Sequence, residues 1–207
     1  LNHSSTHLNM SASGIADSTL EYEMIQSAEV LRANGFTING YVSPNSVTYG
    51  DYIPKLKQEH DFAFTVYKGG VTSSDKGVIT NKHDVFKLYR INLYSNDIAL
   101  LKSAVDDCIA KKGILFFYDH QVGETGSNVS EAKLRELLTY VKAKVDGGLV
   151  EVLNTNDAIQ KFFGTFLESR KGGAYIRAEL SAPIPVTAGA QTDVIFNKIF
   201  SDAVEIG

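Results

Sequence analysis

The sequence lacks the features that define several broad classes of protein. Its single cysteine, Cys108, can form no disulfide within the chain, and its position on the apolar side of a helical pattern predicts a core thiol. The longest apolar runs, such as residues 113–118, fall far short of the roughly 20 residues that a membrane-spanning helix needs. We therefore expect no membrane span.

Positive charge is neither abundant nor clustered. The chain carries 20 Lys and Arg against 24 Asp and Glu, for a net charge of -4. Proteins that neutralise phosphates need a basic surface, so nucleic acid is not an expected partner, and a neutral or cationic substrate is favoured. With 43% apolar residues the chain can still bury one sizeable core.

What the sequence does contain is an alternation of strand and helix patterns. Short apolar or β-branched segments predict strands at residues 36–42, 62–67, 86–94, 114–118 and 149–153. Apolar residues at helical spacing predict helices at residues 18–34, 51–60, 97–112, 128–146 and 155–163. Ser18 with Glu21, and Asn128 with Glu131, are expected to cap two of these helices.

This repeated order predicts an α/β fold with a parallel sheet and helical crossovers, either a barrel or a doubly wound sheet. In both architectures, functional groups gather at the carboxyl ends of the strands. Pro44 and Asn45 follow one predicted strand, His120 ends another, and Asn154 follows the next. After residue 164 the helical pattern gives way to alternation typical of antiparallel strands, so we predict two domains, residues 1–168 and 169–207.

His3 and His7, four positions apart at the start of the chain, are candidate metal ligands. Imidazoles at this spacing on a helical turn lie on one face, where their neutral nitrogens suit Zn²⁺. The alternative is a solvated N-terminal segment that binds nothing. We expect the histidines at positions 60 and 83 to be exposed loop residues.

The order of the motifs resembles that of a known family. The stretches HSSTH (residues 3–7), YVSPNS (41–46), LFFYDH (115–120) and VEVLNTNDAI (150–159) are together similar to the polysaccharide deacetylases, the NodB-like domains of carbohydrate esterase family 4. The resemblance covers residues 1–163. It implies a distorted (β/α) barrel that hydrolyses N-acetyl groups on hexosamine polysaccharides, with zinc on His3 and His7.

The resemblance also implies roles for residues at the strand ends. His120 would protonate the departing amine, and the backbone N–H of Asn45 would donate to the tetrahedral oxyanion. Pro44 and Tyr118 would contact the substrate, with Tyr118 replacing a leucine that lines the family's acetyl pocket. The arginine that precedes the family's proline is absent here. The alternative for His120 is that it has no catalytic role and is only a polar residue at the end of a strand, beside a loop.

One family motif, T-F-D-D, does not occur in the sequence. In the family it lies upstream of the histidine pair and supplies a third metal ligand and the general base. The sequence opens at Leu1 with neither an initiator methionine nor a signal peptide. We therefore expect the motif in a longer parent protein, before Leu1.

Two further charged residues, Asp119 and Arg90, belong to predicted strands or strand ends. Asp119 is expected to be a surface carboxylate rather than a substrate contact. Arg90 is either a buried ion-pair partner or a neighbour of the site.

Residues from 174 onward resemble the opening strands of trimeric jelly-roll heads related to complement and tumour necrosis factor modules, which are common in phage tail proteins. This resemblance implies a homotrimer formed through the C-terminal segment, located extracellularly, on the cell surface or on the virion. It also suggests an alternative function, that of a non-catalytic glycan-binding or structural module of a trimeric tail fibre or adhesin.

Overall fold

A computed structural model of the chain describes residues 1–68, 70–123 and 125–164. The second predicted domain, residues 169–207, lies outside the described residues, and so do the jelly-roll and trimer predictions made for it. The described part combines helices with short parallel strands.

The sheet framework consists of β1 (Gly40–Val42), β2 (Phe62–Phe64), β3 (Ile91–Asn92) and β4 (Phe117–Tyr118). β1 pairs in parallel with β2, and β3 pairs in parallel with β4. Single parallel bridges, from Asn2 to Tyr41 and from Phe64 to Leu88, extend the first pair on both sides. Because Leu88 lies just before β3, parallel segments follow one another in the order Asn2, β1, β2, residues 88–92 and β4.

The helices are α1 (Asp17–Leu20), α2 (Ser27–Ala33), α3 (Ile53–Glu59), α4 (Ile98–Lys111), α5 (Glu131–Asp146) and α6 (Thr155–Phe163). A π-helical turn, Glu21–Gln26, joins α1 to α2. α3 connects β1 to β2 and α4 connects β3 to β4, as parallel pairs require. No helix in the described part of the chain is long and apolar enough to cross a membrane.

Two predicted helix caps are wrong. Ser130, rather than Asn128, caps α5, because the Asn128 side chain instead donates to the carbonyl of Thr125 at 2.5 Å. Ser18 lies inside α1, which begins at Asp17 without a side-chain cap. In both cases the predicted cap lies two residues from the observed N-cap, which is Ala16 for α1 and Ser130 for α5.

Buried side chains form three clusters around this framework. One includes Met24 and Leu56 and lies between α3 and the helical segment that spans residues 17–33. A second, which includes Leu101, joins α4 to α5. The third, with Phe62 and Ile159, joins the first strand pair to α6. Helices from three parts of the chain therefore pack around the strands.

The strand predicted at residues 149–153 is not formed. Leu149, Val152 and Leu153 are 56%, 41% and 39% exposed, and this segment leads directly into α6. A short apolar run does not by itself distinguish a buried strand from other structures. Among the described residues, the first and last parallel segments are not paired with each other, so the pairings do not close a ring. Closure of the sheet into a barrel therefore stays a prediction.

Candidate functional site

His3 and His7 lie side by side near one end of β1. The centroids of their rings are 5.0 Å apart and the ring planes are nearly perpendicular, at 80°. The segment between them is not a helical turn, since Ser4 and His7 have positive φ angles of 67° and 61°. The helical explanation for their proximity is therefore wrong. A tight turn, in which Ser4 Oγ accepts the His7 N–H at 3.0 Å, brings the rings together instead.

A main-chain carbonyl orients the ring of His3. Its Nδ1 lies 2.7 Å from the carbonyl oxygen of Val42, the last residue of β1. Because a carbonyl only accepts, Nδ1 carries the proton, and in the neutral ring Nε2 carries the lone pair. Metal-ligating histidines commonly show this arrangement, in which the second ring nitrogen donates to a carbonyl or carboxylate.

A buried carboxylate, Glu23, supports the turn between the two histidines. Its Oε2 accepts the backbone N–H groups of Ser5 and Thr6, each at 2.9 Å, and its Oε1 accepts the Thr6 hydroxyl at 2.5 Å. Glu23 is only 2% exposed. Burial alone would raise its pKa, but the hydrogen bonds from Thr6 and Ser5 outweigh burial and hold the pKa of Glu23 below its usual range.

The turn after β1 carries two other predicted site residues. Pro44 is buried and Asn45 is exposed. The φ angle of Asn45 is 53°, in the left-handed region, so the chain changes direction sharply at this residue. Because His3 is bound to the last residue of β1, Asn45 and the histidine pair lie at the same corner of the sheet.

Tyr118 and His120 form a second group, at the end of β4. Their ring centroids are 6.3 Å apart in an edge-to-face arrangement. The Arg90 guanidinium lies over the Tyr118 ring, 4.5 Å from its centroid. Arg90 is therefore a neighbour of the predicted site, one of the two alternatives considered for it. His120 is exposed at the surface, where a substrate can reach it.

Asp119, expected to be a surface carboxylate, is instead 4% exposed. Its Oδ2 accepts the Tyr94 N–H at 2.9 Å, and its Oδ1 accepts the N–H groups of His120 and Val129 at 2.9 and 3.3 Å. The surface prediction is wrong because this carboxylate joins three loop segments through their main chain. Its role is to hold the loop that carries His120.

The two groups share the carboxyl edge of the parallel segments but are not adjacent along it. Four strand-to-strand steps separate Asn2 from β4. At about 4.8 Å per step, this amounts to roughly 19 Å along a flat sheet. The structure thus places His3, His7 and Asn45 at one corner and Tyr118 with His120 at another. Curvature of the sheet, as in the predicted barrel, would bring the corners closer.

The remaining histidines are less exposed than expected. His60 is fully buried, with Nδ1 at 3.2 Å from the Leu56 carbonyl and Nε2 at 3.3 Å from the side chain of Asn2. His83 is half-buried, and its Nε2 lies 3.1 Å from the Tyr89 hydroxyl. The exposed-loop prediction is wrong for His60, which anchors the segment just before His3.

Glu23 was not among the residues that the sequence analysis selected. The helical pattern held a signal, since position 23 lies three residues after Leu20 and four before Ser27, on a face that is otherwise apolar or small. Charged residues are seldom fully buried unless they are paired or hydrogen-bonded. A lone carboxylate on that face therefore indicates a specific hydrogen-bonding role.

His3 and His7 could supply two of the ligands that a zinc site requires. Zinc sites in proteins have four protein ligands, or three and an open position. Among the residues that the structure describes, no cluster of three or more His, Cys, Asp or Glu side chains is arranged to hold a metal ion. The pair offers two imidazole nitrogens of the kind zinc prefers, and the orientation of His3 suits ligation through Nε2.

A cavity of about 680 Å³ lies elsewhere, between the end of α6 and the loop before β3. It is lined by Asn81, His83, Asp84, Val85 and residues 161–164. Its lining residues 81–85 precede the bridge at Leu88, so it opens at the amino ends of the parallel segments. This is the edge opposite the histidine pair.

Comparison with protein-family models, with curated proteins and with solved structures finds no match for this chain.

Proposed function

We propose that this protein is a metal-dependent polysaccharide deacetylase, which hydrolyses N-acetyl groups on a hexosamine-containing polysaccharide. The observation that carries the proposal is the histidine pair, with its rings 5.0 Å apart and His3 Nδ1 bound to the Val42 carbonyl. The hydrogen bond at Nδ1 selects the His3 tautomer whose lone pair is on Nε2, the atom that would coordinate a metal. The setting we propose is an extracellular, cell-surface or virion protein.

The chain's own residues have distinct roles in the proposed reaction. A zinc ion on His3 and His7 would supply Lewis acidity at the amide carbonyl of the substrate. The Asn45 N–H would donate to the oxygen on which negative charge develops, and the left-handed conformation of Asn45 places this amide in an exposed turn. His120 would give its proton to the nitrogen that leaves as the amine.

Substrate contacts in this proposal come from Pro44 and Tyr118. Pro44 is buried and directly precedes Asn45 in the turn that follows β1. Tyr118 presents an aromatic ring that contacts the Arg90 guanidinium, 4.5 Å from the ring centroid, and the His120 ring, 6.3 Å away between centroids. For all these groups to act on one acetyl group, the two corners of the sheet must face a common cleft.

Zinc binding tests the proposal without requiring turnover. Competition between the protein and a chromophoric chelator should reveal zinc affinity in the wild type. His3→Ala and His7→Ala should each weaken it by more than about tenfold, because losing a ligand should cost at least as much as losing a group that orients one. His83→Ala, a histidine on the opposite edge, should bind as the wild type does. Equal affinity in all four proteins would contradict the proposal.

The absence of a T-F-D-D motif from the sequence favours a second candidate, a module that binds glycans without hydrolysing them. The two candidates differ in acetate release from acetylated chitooligosaccharides. Since no base is assigned among the described residues, we expect this chain alone to release little acetate. Glycan binding that persists in zinc-free protein and in His3→Ala would favour the binding module.

A further inference from the structure

The helix behind the histidine pair is distorted where it faces that pair. Residues 21–26 form a π-helical turn within the helical segment that spans residues 17–33. Such turns are rare and occur frequently at functional sites. Here, three consecutive residues of the π-helical turn, Tyr22, Glu23 and Met24, all accept hydrogen bonds from the N-terminal segment.

These hydrogen bonds lie before and after His3. The Met24 carbonyl accepts the Asn2 side-chain amide at 3.0 Å, directly before His3. The Tyr22 carbonyl accepts the Ser5 hydroxyl at 3.3 Å. Between His3 and His7, the Glu23 carboxylate takes two N–H groups and one hydroxyl. The π-helical turn therefore holds the chain on both sides of His3.

The turn between the histidines needs such support. Ser4 and His7 both adopt left-handed φ angles, which are unfavourable for residues other than glycine. Hydrogen bonds to a carboxylate are shorter and stronger than those to a neutral acceptor. A buried carboxylate under this turn can therefore maintain a backbone conformation that the sequence alone does not favour.

We propose that Glu23 is a positioning residue for the metal-binding imidazoles, holding the turn that sets the separation of the His3 and His7 rings. The inference rests on the proposed function, because it concerns the pair to which zinc is assigned there. Glu23 acts through Ser5 and Thr6, so it is not a ligand in this account. Its removal should weaken metal binding by loosening the ligand geometry.

The test compares zinc affinity and metal-free thermal stability in matched variants. Glu23→Ala removes the acceptor for all three donors, whereas Glu23→Gln keeps one oxygen for the two N–H groups. Asp119→Ala is the control, since Asp119 is an equally buried carboxylate that accepts three main-chain N–H groups at the other corner. Thr6→Val removes only the hydroxyl donor and nearly preserves side-chain volume.

We expect zinc affinity to fall by about 10- to 100-fold in Glu23→Ala, the range typical of groups that orient metal ligands. Glu23→Gln should recover most of that loss. Asp119→Ala should lower the Tm of the metal-free protein, yet bind zinc as the wild type does. A merely structural Glu23 would instead behave like Asp119, with lower stability and unchanged affinity, and that result would overturn the inference.

The outcomes also separate this inference from the proposed function. Wild-type protein that binds no zinc would remove both. Wild-type protein that binds zinc, with equal affinity in Glu23→Ala, would remove the inference alone. If Glu23→Ala does not fold, Thr6→Val decides: weaker zinc binding at an unchanged Tm supports the positioning role, and unchanged binding refutes it.

Discussion

Two carboxylates are buried in the described part of the chain, Glu23 and Asp119. Main-chain N–H groups hold both of them, and both support loops that carry predicted site residues. Among the described residues, no Lys or Arg side chain donates a hydrogen bond to either carboxylate. Since a buried carboxylate is costly without partners, these bonds are what makes each residue compatible with the interior. At the residue scale, each loop therefore depends on one buried acidic side chain.

The lowered pKa of Glu23 predicts a pH dependence of stability. A carboxyl group whose pKa is lower in the folded state stabilises the fold above its unfolded pKa, and this contribution is lost as the pH falls through the folded value. The unfolding free energy of the wild type should therefore fall more steeply below about pH 4.3 than that of Glu23→Gln. Urea denaturation between neutral and acidic pH measures the difference. Parallel curves would contradict the prediction.

Cys108 should react slowly with thiol reagents. Burial, with a smaller contribution from Asp107, raises the pKa of this thiol to about 11. Since the thiolate is the reactive form, a pKa raised by about two units lowers the reactive fraction near pH 8 by about 100-fold. Alkylation by iodoacetamide, followed by mass spectrometry, should be fast only in urea. Rapid labelling of the folded protein would be inconsistent with this environment.

The N-termini of α4, α5 and α6 each depend on a single capping side chain, whose position the sequence indicates only approximately. Asp97 and Asn154 cap α4 and α6, and Ser130 caps α5 with its hydroxyl oxygen at 3.3 Å from the Lys133 N–H. The helical pattern of residues 97–112 predicted α4 closely, because its apolar stripe and its cap coincide. At α5, two polar residues compete for the cap position, and only the folded chain selects between them.

Ser130→Ala and Asn128→Ala should therefore differ in stability. Loss of the Ser130 cap should cost about 1 kcal/mol, whereas Asn128 is half-buried and makes one local hydrogen bond, to the Thr125 carbonyl, so its replacement should cost about 0.5 kcal/mol. Urea denaturation of both variants measures the two costs. A larger loss for Asn128→Ala would show that the originally predicted cap is the real one.

At the scale of the whole molecule, residues far apart in the chain lie along the same carboxyl edge of the parallel segments. The alternation of strands and helices was sufficient to predict that edge and to place Asn45 and His120 at it, whereas His3 was selected by its spacing from His7 and by the family resemblance. It could not predict Glu23 or the burial of Asp119, because those depend on hydrogen bonds between distant segments. It also overestimated strand length, since apolar segments continue past the few residues that pair.

The proposed reaction requires the two corners of the sheet to share a cleft. A paramagnetic ion such as Co²⁺, bound at the histidine pair, should broaden the imidazole resonances of His120 in nuclear magnetic resonance spectra if the sheet curves as the barrel hypothesis requires. The imidazole of His83, on the opposite edge, should be affected less. Unaffected His120 resonances would place the acid too far from the metal and contradict the hydrolase hypothesis.

The central claim is that His3 and His7 bind one metal ion together. X-ray absorption at the zinc edge of the zinc-loaded protein tests it most directly, because it counts imidazole ligands around the ion. The account predicts two imidazoles at about 2.0–2.1 Å, falling to one in His3→Ala. A zinc ion surrounded only by oxygen, or an unchanged spectrum in His3→Ala, would contradict it.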